Sequence, residues 1–147
     1  MVNLKSIFFL LFVGFTVYMA YDDNDVMIGD YGHDHTSQKG EVVWSIRKES
    51  NSLVFFSHGL NESMVSQIAS KEQKESFWKK MMWDVSLSED ATCVIGKEFI
   101  VCRVPEKVRA KISWIASNKS DYFYYDYMLG VMEIERLNHD TFAPKFI

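Results

Sequence analysis

The densest group of potential metal ligands in the sequence runs from Asp30 to His35. Within it, His33 and His35 flank Asp34, so imidazole nitrogens lie close to carboxylate oxygens. Zinc and copper accept both kinds of ligand. The group lies in an acidic stretch without periodicity, and a flexible segment must lose conformational entropy to close around an ion. We therefore interpret the stretch as a solvated arm, keep His33, Asp34 and His35 as metal-ligand candidates, and expect no metal or other cofactor.

Two further histidines have neighbours that could support acid–base chemistry. His58 precedes Gly59 at the end of an apolar run, and His139 is followed by Asp140 near the C-terminus. The sequence has no Gly-x-Ser-x-Gly nucleophile elbow, no His-Glu-x-x-His zinc helix and no glycine-rich phosphate loop. A histidine at a strand end is more often a polar cap than a general base. The sequence therefore favours a non-enzymatic protein and assigns no catalytic residue.

The two cysteines, Cys93 and Cys102, lie in β-rich runs on either side of a Gly-Lys-Glu turn. A turn centred between Lys97 and Glu98 places them opposite each other in an antiparallel pair, where a disulfide can form. A redox-active pair needs the closer Cys-x-x-Cys spacing, and a zinc site needs further ligands. We therefore predict a disulfide-closed hairpin over residues 91–104 and an oxidising compartment.

Two Asn-x-Ser triplets provide candidate N-glycosylation sites at Asn61 and Asn118. Both lie in polar, turn-like surroundings, where an oligosaccharide meets solvent rather than the core. The pair supports the prediction that the protein is secreted.

Aromatic residues are concentrated between positions 122 and 127. On a strand, Tyr122 and Tyr124 point to one face, whereas Phe123, Tyr125 and Tyr127 point to the other. Two interpretations stay open: a central strand covered on both sides, or a strand whose tyrosines contact a partner. The candidates for the second are Tyr122, Tyr124, Tyr125 and Tyr127.

The hydrophobic pattern predicts an α+β fold, with a mainly antiparallel sheet and one principal helix at about residues 61–83. Met64, Ile68 and Trp78 fall near one face of that helix. Residues 105–117 fit both a helix that begins at Pro105 and a half-buried strand, and the alternation leans towards the strand. Further strands are predicted at residues 42–48, 53–58, 122–129 and 131–137.

The N-terminus has the layout of a signal peptide. Lys5 precedes an apolar run from Ile7 to Tyr21, which as a helix reaches only about 22 Å and is short for a membrane span. We predict a signal over residues 1–20, either cleaved after Ala20 or retained as an anchor. An acidic flexible arm over residues 21–40 and a single globular domain over residues 41–147 follow.

The charge distribution excludes two classes of partner. Residues 42–147 carry fourteen acids and fourteen bases with no basic run, so neither a nucleic-acid binder nor a polybasic membrane-surface protein is expected. The favoured function is a secreted, N-glycosylated, non-enzymatic module that binds an extracellular or cell-surface protein. The methionine and aromatic content leaves a carrier of a small apolar ligand as an alternative. A secreted hydrolase with a non-standard site is a further alternative.

Overall fold

The computed structural model describes residues 26–33 and 40–137, which form a closed, eight-stranded antiparallel barrel. Each strand pairs with the next one in sequence, and the last strand pairs with the first. The strands are β1 (Gly29–Gly32), β2 (Trp44–Glu49), β3 (Ser52–Ser57), β4 (Glu62–Ile68), β5 (Thr92–Ile95), β6 (Phe99–Arg103), β7 (Tyr122–Asp126) and β8 (Gly130–Leu137). Helix α1 (Lys71–Lys80) and a 3-10 turn (Val85–Ser88) connect β4 to β5, and the one-turn helix α2 (Glu106–Arg109) follows β6.

The predicted α+β fold with a principal helix over residues 61–83 is wrong. The first part of that range is strand β4, and helix α1 begins only after Ser70. The Ser70 hydroxyl accepts a hydrogen bond from the Gln73 amide, and the Gln73 side chain accepts one from the Ser70 amide, which fixes the start of the helix. Met64 and Ile68 instead pack into the barrel as inward residues of a strand, because their spacing also fits a period of two.

The predicted disulfide hairpin is confirmed. β5 and β6 pair with Cys93 opposite Cys102, and the two sulfurs are bonded. Their Cα atoms are 4.1 Å apart, the close approach expected of a pair that exchanges no ladder hydrogen bonds. The predicted strands at residues 42–48, 53–58, 122–129 and 131–137 also form, as the β2–β3 and β7–β8 hairpins with slightly different ends.

Residues 105–117 do not form the strand towards which the pattern leaned. Pro105 precedes helix α2, and turns follow, so that Ile112 and Ile115 are buried three residues apart. Arg109 secures this segment, because its buried guanidinium donates to the Val104 carbonyl at 3.1 Å and pairs with Asp121. The alternation in the sequence does not correspond to burial, because Ala110, Trp114 and Ala116 are exposed and Arg109 is buried.

The prediction of a flexible arm outside the core is wrong for residues 26–33. β1 pairs with both β2 and β8 and so closes the barrel, and Met27 and Tyr31 are fully buried. The Tyr31 hydroxyl donates to the Met27 carbonyl. A four-residue strand in an Asp- and Gly-rich stretch is too short to show a period. The predicted signal at residues 1–20 and the remaining parts of the arm, 21–25 and 34–39, lie outside the described residues.

Two apolar clusters stabilise the described part of the chain. One fills the barrel and is formed by Met27, Tyr31, Trp44, Ile46, Leu53, Phe55, Val94, Phe99, Val101, Tyr122, Tyr124 and Ile134. The other lies outside the barrel, where Phe77 and Trp78 of α1 pack against the disulfide and Phe123. Over the same described ranges, none of the helices has the length and apolar character needed to cross a membrane.

Two buried tyrosines have raised pKa values, and we therefore predict that the protein loses stability at high pH. Burial raises the pKa of Tyr31 far above its ordinary value of 10.0, and burial and the hydrogen bond to Asp126 raise the pKa of Tyr124. The unfolded chain therefore loses these protons near pH 10 while the folded chain keeps them. The stability that these two protonated tyrosines contribute is fully present below pH 10 and is lost as the pH rises above it. Urea titrations from about pH 8 to pH 11 should show a falling midpoint. A midpoint that is constant over this range would contradict the prediction.

Candidate functional site

A groove of about 540 Å³ runs beside helix α1 on the outer surface of the barrel. Its apolar part is formed by Ile95, Phe99 and Ile100 of the disulfide hairpin and by Tyr125 of β7. Charged and polar side chains along its borders come from α1 and from the turn of the hairpin, and they are Glu72, Gln73, Ser76, Lys80, Lys97 and Glu98. The balance of two acids and two bases gives the groove no strong net charge.

Contacts with α1 hold Tyr125 in place in this groove. The Lys80 ammonium lies over the Tyr125 ring, 5.0 Å from its centre. The Phe77 ring meets the same ring at a centroid distance of 5.1 Å. A cation–π contact and an aromatic edge contact each contribute about 0.5–1 kcal/mol at such sites. Tyr125 is thus half-buried, with part of its surface left for the groove.

The turn between β7 and β8 exposes three consecutive apolar side chains. Tyr127, Met128 and Leu129 are 69%, 78% and 64% exposed, and we call these three residues the apolar turn. One carboxylate oxygen of Asp126 accepts hydrogen bonds from the amides of Met128 and Leu129, at 2.9 and 2.6 Å. The other oxygen accepts from the Tyr124 hydroxyl. Since Tyr127 also lines the groove, the apolar turn and the groove form one continuous surface.

The four tyrosines proposed as partner contacts are divided between two environments. Tyr122 and Tyr124 are buried inside the barrel. Tyr125 and Tyr127 face the groove. The strand therefore has one face in the barrel core and the other under α1 and along the groove, and only the second pair is accessible to a partner.

Aromatic rings fill the inside of the barrel. Tyr124 stacks on Trp44 at a centroid distance of 5.4 Å, and Phe55 meets Phe99 at 4.4 Å. Phe55 and Tyr124 are also stacked, at 5.9 Å. An apolar ligand inside the barrel would have to displace this stack. The external groove, in contrast, has a volume typical of small-molecule sites.

His58 contacts two side chains that the sequence did not connect with it. The register of β1, β2 and β3 brings its Nε2 atom to 2.8 Å from the Ser45 hydroxyl, which donates to Asp30 at 2.7 Å. A catalytic serine needs the opposite order, with its proton given to the histidine and the carboxylate on the far side of the imidazole. Here the serine proton points to Asp30, Arg47 pairs with that carboxylate, and Ser45 is only 3% exposed. The group links three strands but does not activate Ser45 as a nucleophile.

The remaining chemical candidates are only partly described. His33 follows β1 and contacts the Trp44 ring at a centroid distance of 5.0 Å. Asp34, His35, His139 and Asp140 lie outside the described residues. Among residues 26–33 and 40–137, no three His, Cys, Asp or Glu side chains are grouped as a metal site requires.

The two glycosylation candidates differ in accessibility. Asn61 is exposed in the turn between β3 and β4. Asn118 is half-buried, and its backbone amide donates to the Ile115 carbonyl at 3.1 Å. The next two amides, of Lys119 and Ser120, both donate to the Glu133 carboxylate. Asn61 is therefore the more accessible acceptor for an oligosaccharide.

The groove and the apolar turn combine exposed apolar side chains with a concave surface and a turn held by hydrogen bonds to Asp126. Exposed apolar side chains beside a concave surface are typical of recognition sites. Comparisons with known proteins found no matching family model, no matching curated protein and no matching solved structure.

Proposed function

We propose that the protein is a secreted, N-glycosylated, non-enzymatic module that binds an extracellular or cell-surface protein through the apolar turn and the groove. The observation that carries the proposal is the fixed display of three exposed apolar side chains by the Asp126 carboxylate. Exposed apolar groups beside a concave surface are common at protein interfaces. A turn that is already ordered loses little entropy on binding, which favours affinity.

The proposed compartment rests on separate observations. The Cys93–Cys102 disulfide suits an oxidising space. The sequence begins with the layout of a signal peptide and has two sequons, of which Asn61 is exposed. These features support secretion, and with it a partner outside the cell or at its surface.

A carrier of a small apolar ligand is the second candidate, because the groove volume of about 540 Å³ falls in the range of ligand sites. Native mass spectrometry separates the two functions. A carrier purified from its secreting cells would show extra mass that denaturation releases. The protein-binding proposal expects the mass of the glycosylated chain alone.

Polar substitution of the apolar turn should weaken partner binding. The variant Met128→Ser/Leu129→Ser should capture its partner from extracellular fluid at least about tenfold more weakly, because central apolar contacts dominate binding energy. Binding is measured by surface plasmon resonance after the partner has been identified by cross-linking from a photoreactive residue at position 127.

A matched control uses exposed apolar residues elsewhere. Leu60→Ser/Met82→Ser changes side chains that are as exposed as those of the turn, and it should bind normally. Asp126→Ala should weaken binding although it removes no apolar contact, since it frees the turn. Equal affinity of the Met128→Ser/Leu129→Ser variant and the native protein would refute this interface.

A further inference from the structure

Strand β4 is longer than the strand beside it. β4 has seven residues, Glu62–Ile68, but only Gln67 and Ile68 pair with β5. The disulfide hairpin turns back after Ile95, whereas β4 continues along β3 as far as Glu62. All residues around this region, 58–70 and 92–99, are described. Five residues of β4 therefore have no neighbouring strand on the side of β5.

The backbone groups at this free edge follow from the ladder. The Ala69 amide donates to the Cys93 carbonyl at 2.8 Å, so Ala69 faces β5. In an antiparallel ladder every second residue faces the same neighbour, and Val65 and Ser63 therefore face the β5 side as well. Within residues 40–137, no backbone group bonds to the N–H and C=O groups that Ser63 and Val65 direct towards this side. Two N–H groups and two C=O groups are thus available at an edge of about 16 Å.

The free edge borders a notch in the wall of the barrel. A hollow of about 250 Å³, lined by Val65, Gln73, Gly96 and Lys97, separates β4 from the hairpin turn. The Gly96 amide donates to the Phe99 carbonyl and Phe99 pairs with Asp126, so the hairpin turn and the apolar turn lie at the same level of the barrel wall. β4 and β7 are three strand spacings apart, about 14 Å. The notch therefore has the unpaired backbone of β4 along one side, and the hairpin turn and the apolar turn lie at its end.

We propose that this notch binds an extended peptide segment of the partner protein as an added β-strand on β4. The inference rests on the proposed protein-binding function and names the chemistry of the partner. The peptide backbone exchanges hydrogen bonds with Ser63 and Val65, and its apolar side chains contact the exposed Val65 and the apolar turn. An extended backbone is selected because the free groups repeat every second residue along the edge.

Charges at the two ends of the edge favour one sequence pattern in the bound peptide. Glu62 lies at one end, and Lys97, unlike Glu98, lines the hollow at the other. Neither forms an ion pair among the described residues. The matching segment carries a base near Glu62, apolar residues in the middle and an acid near Lys97. A second copy of β4 would offer the same number of hydrogen bonds as a peptide, and the exchange experiment distinguishes these two occupants.

Amide hydrogen exchange in the free protein tests the edge itself. The amides of Ser63 and Val65 should exchange rapidly, whereas those of Met64 and Ser66, which face β3, should be protected by at least about a hundredfold. Protection of all four amides in a dilute monomer would overturn the proposal. Protection of Ser63 and Val65 that appears only as a dimer forms would assign the edge to a second copy and would also overturn it.

Binding is tested with peptides selected on the native, glycosylated protein from a phage-displayed library of linear heptapeptides. A selected peptide should protect the Ser63 and Val65 amides, and Val65→Pro, which removes one amide donor, should weaken its binding at least about tenfold. Val65→Thr keeps the donor and should bind normally. Melting temperature and disulfide content show that both variants are folded. Equal binding by folded Val65→Pro, or selection of no peptide, would overturn the inference.

The same variants separate this inference from the proposed function. If partner capture is lost in Met128→Ser/Leu129→Ser but is unchanged in Val65→Pro, the apolar turn binds a partner without strand addition, and only the inference fails. If both variants capture normally, the proposed function fails as well. Lys97→Glu should also weaken the binding of peptides that have an acid at the matching end and strengthen the binding of peptides that have a base there.

Discussion

Replacing Tyr31 by alanine should lower the free energy of unfolding by about 3–5 kcal/mol. Tyr31 is fully buried in the barrel, where its ring meets the edge of the Tyr122 ring at a centroid distance of 5.4 Å. Its hydroxyl donates to the Met27 carbonyl, and its strand closes the barrel between β2 and β8. The substitution leaves a cavity that these strands cannot fill without breaking their pairing. Urea unfolding followed by near-UV circular dichroism measures the change.

Two tyrosine variants provide the controls for Tyr31→Ala. Tyr127→Ala removes an equally large but exposed ring and should change stability by no more than about 0.5 kcal/mol. Tyr31→Phe removes only the hydroxyl and should cost about 1 kcal/mol. A Tyr31→Ala protein as stable as the native one would mean that residues 26–33 lie outside the folded unit, as the sequence had suggested.

The hairpins could be predicted from sequence, but the closure of the barrel could not. Turn residues between two β-rich runs are a local signal, and they placed Cys93 opposite Cys102 correctly. Closure depends on β1, which is four residues long and pairs with β8 about a hundred residues later in the chain. No local pattern reports such a distant contact, and the Asp- and Gly-rich composition around Tyr31 favoured an arm.

The start of α1 was visible in the sequence but was assigned to the wrong residues. Ser70 and Gln73 have the spacing of a capping box, which marks a helix that begins at Lys71. The prediction began the helix at about residue 61 instead, because Met64 and Ile68 share a helical face. A spacing of four residues satisfies both a helix and a strand, so the apolar pattern alone could not separate them.

The candidate site depends on contacts that become visible only in three dimensions. The groove needs α1 to pack beside the disulfide hairpin, and the Ser45–His58–Asp30 group needs the register of three strands. The apolar turn had a local signal, because an aspartate can bond to backbone amides two and three residues later. The sequence prediction extended the strand to Leu129 and thus missed the turn.

Replacing Trp78 by alanine should lower the free energy of unfolding by about 3–5 kcal/mol and also remove the groove. Trp78 is the fully buried anchor of α1, with its ring near Trp83 at 5.4 Å and Phe123 at 6.4 Å. Without it, α1 loses its main contact with the outer cluster, and the wall formed by Glu72 and Lys80 is no longer held in place. Thermal melting and urea unfolding measure the stability, and partner capture shows whether the groove still binds.

Two further tryptophan variants test whether Trp78 stabilises the protein through its packing in the outer cluster. Trp78→Phe should cost less than Trp78→Ala, since a ring remains and the indole N–H, which has no hydrogen-bond partner among the described residues, is removed. Trp114→Ala removes a ring that is 72% exposed and should have almost no effect on stability. If Trp78→Ala is as stable as Trp114→Ala, α1 is not anchored by the outer cluster. Partner capture that survives a destabilising Trp78→Ala would instead assign binding to the apolar turn alone, because that turn is held by Asp126 and not by the helix.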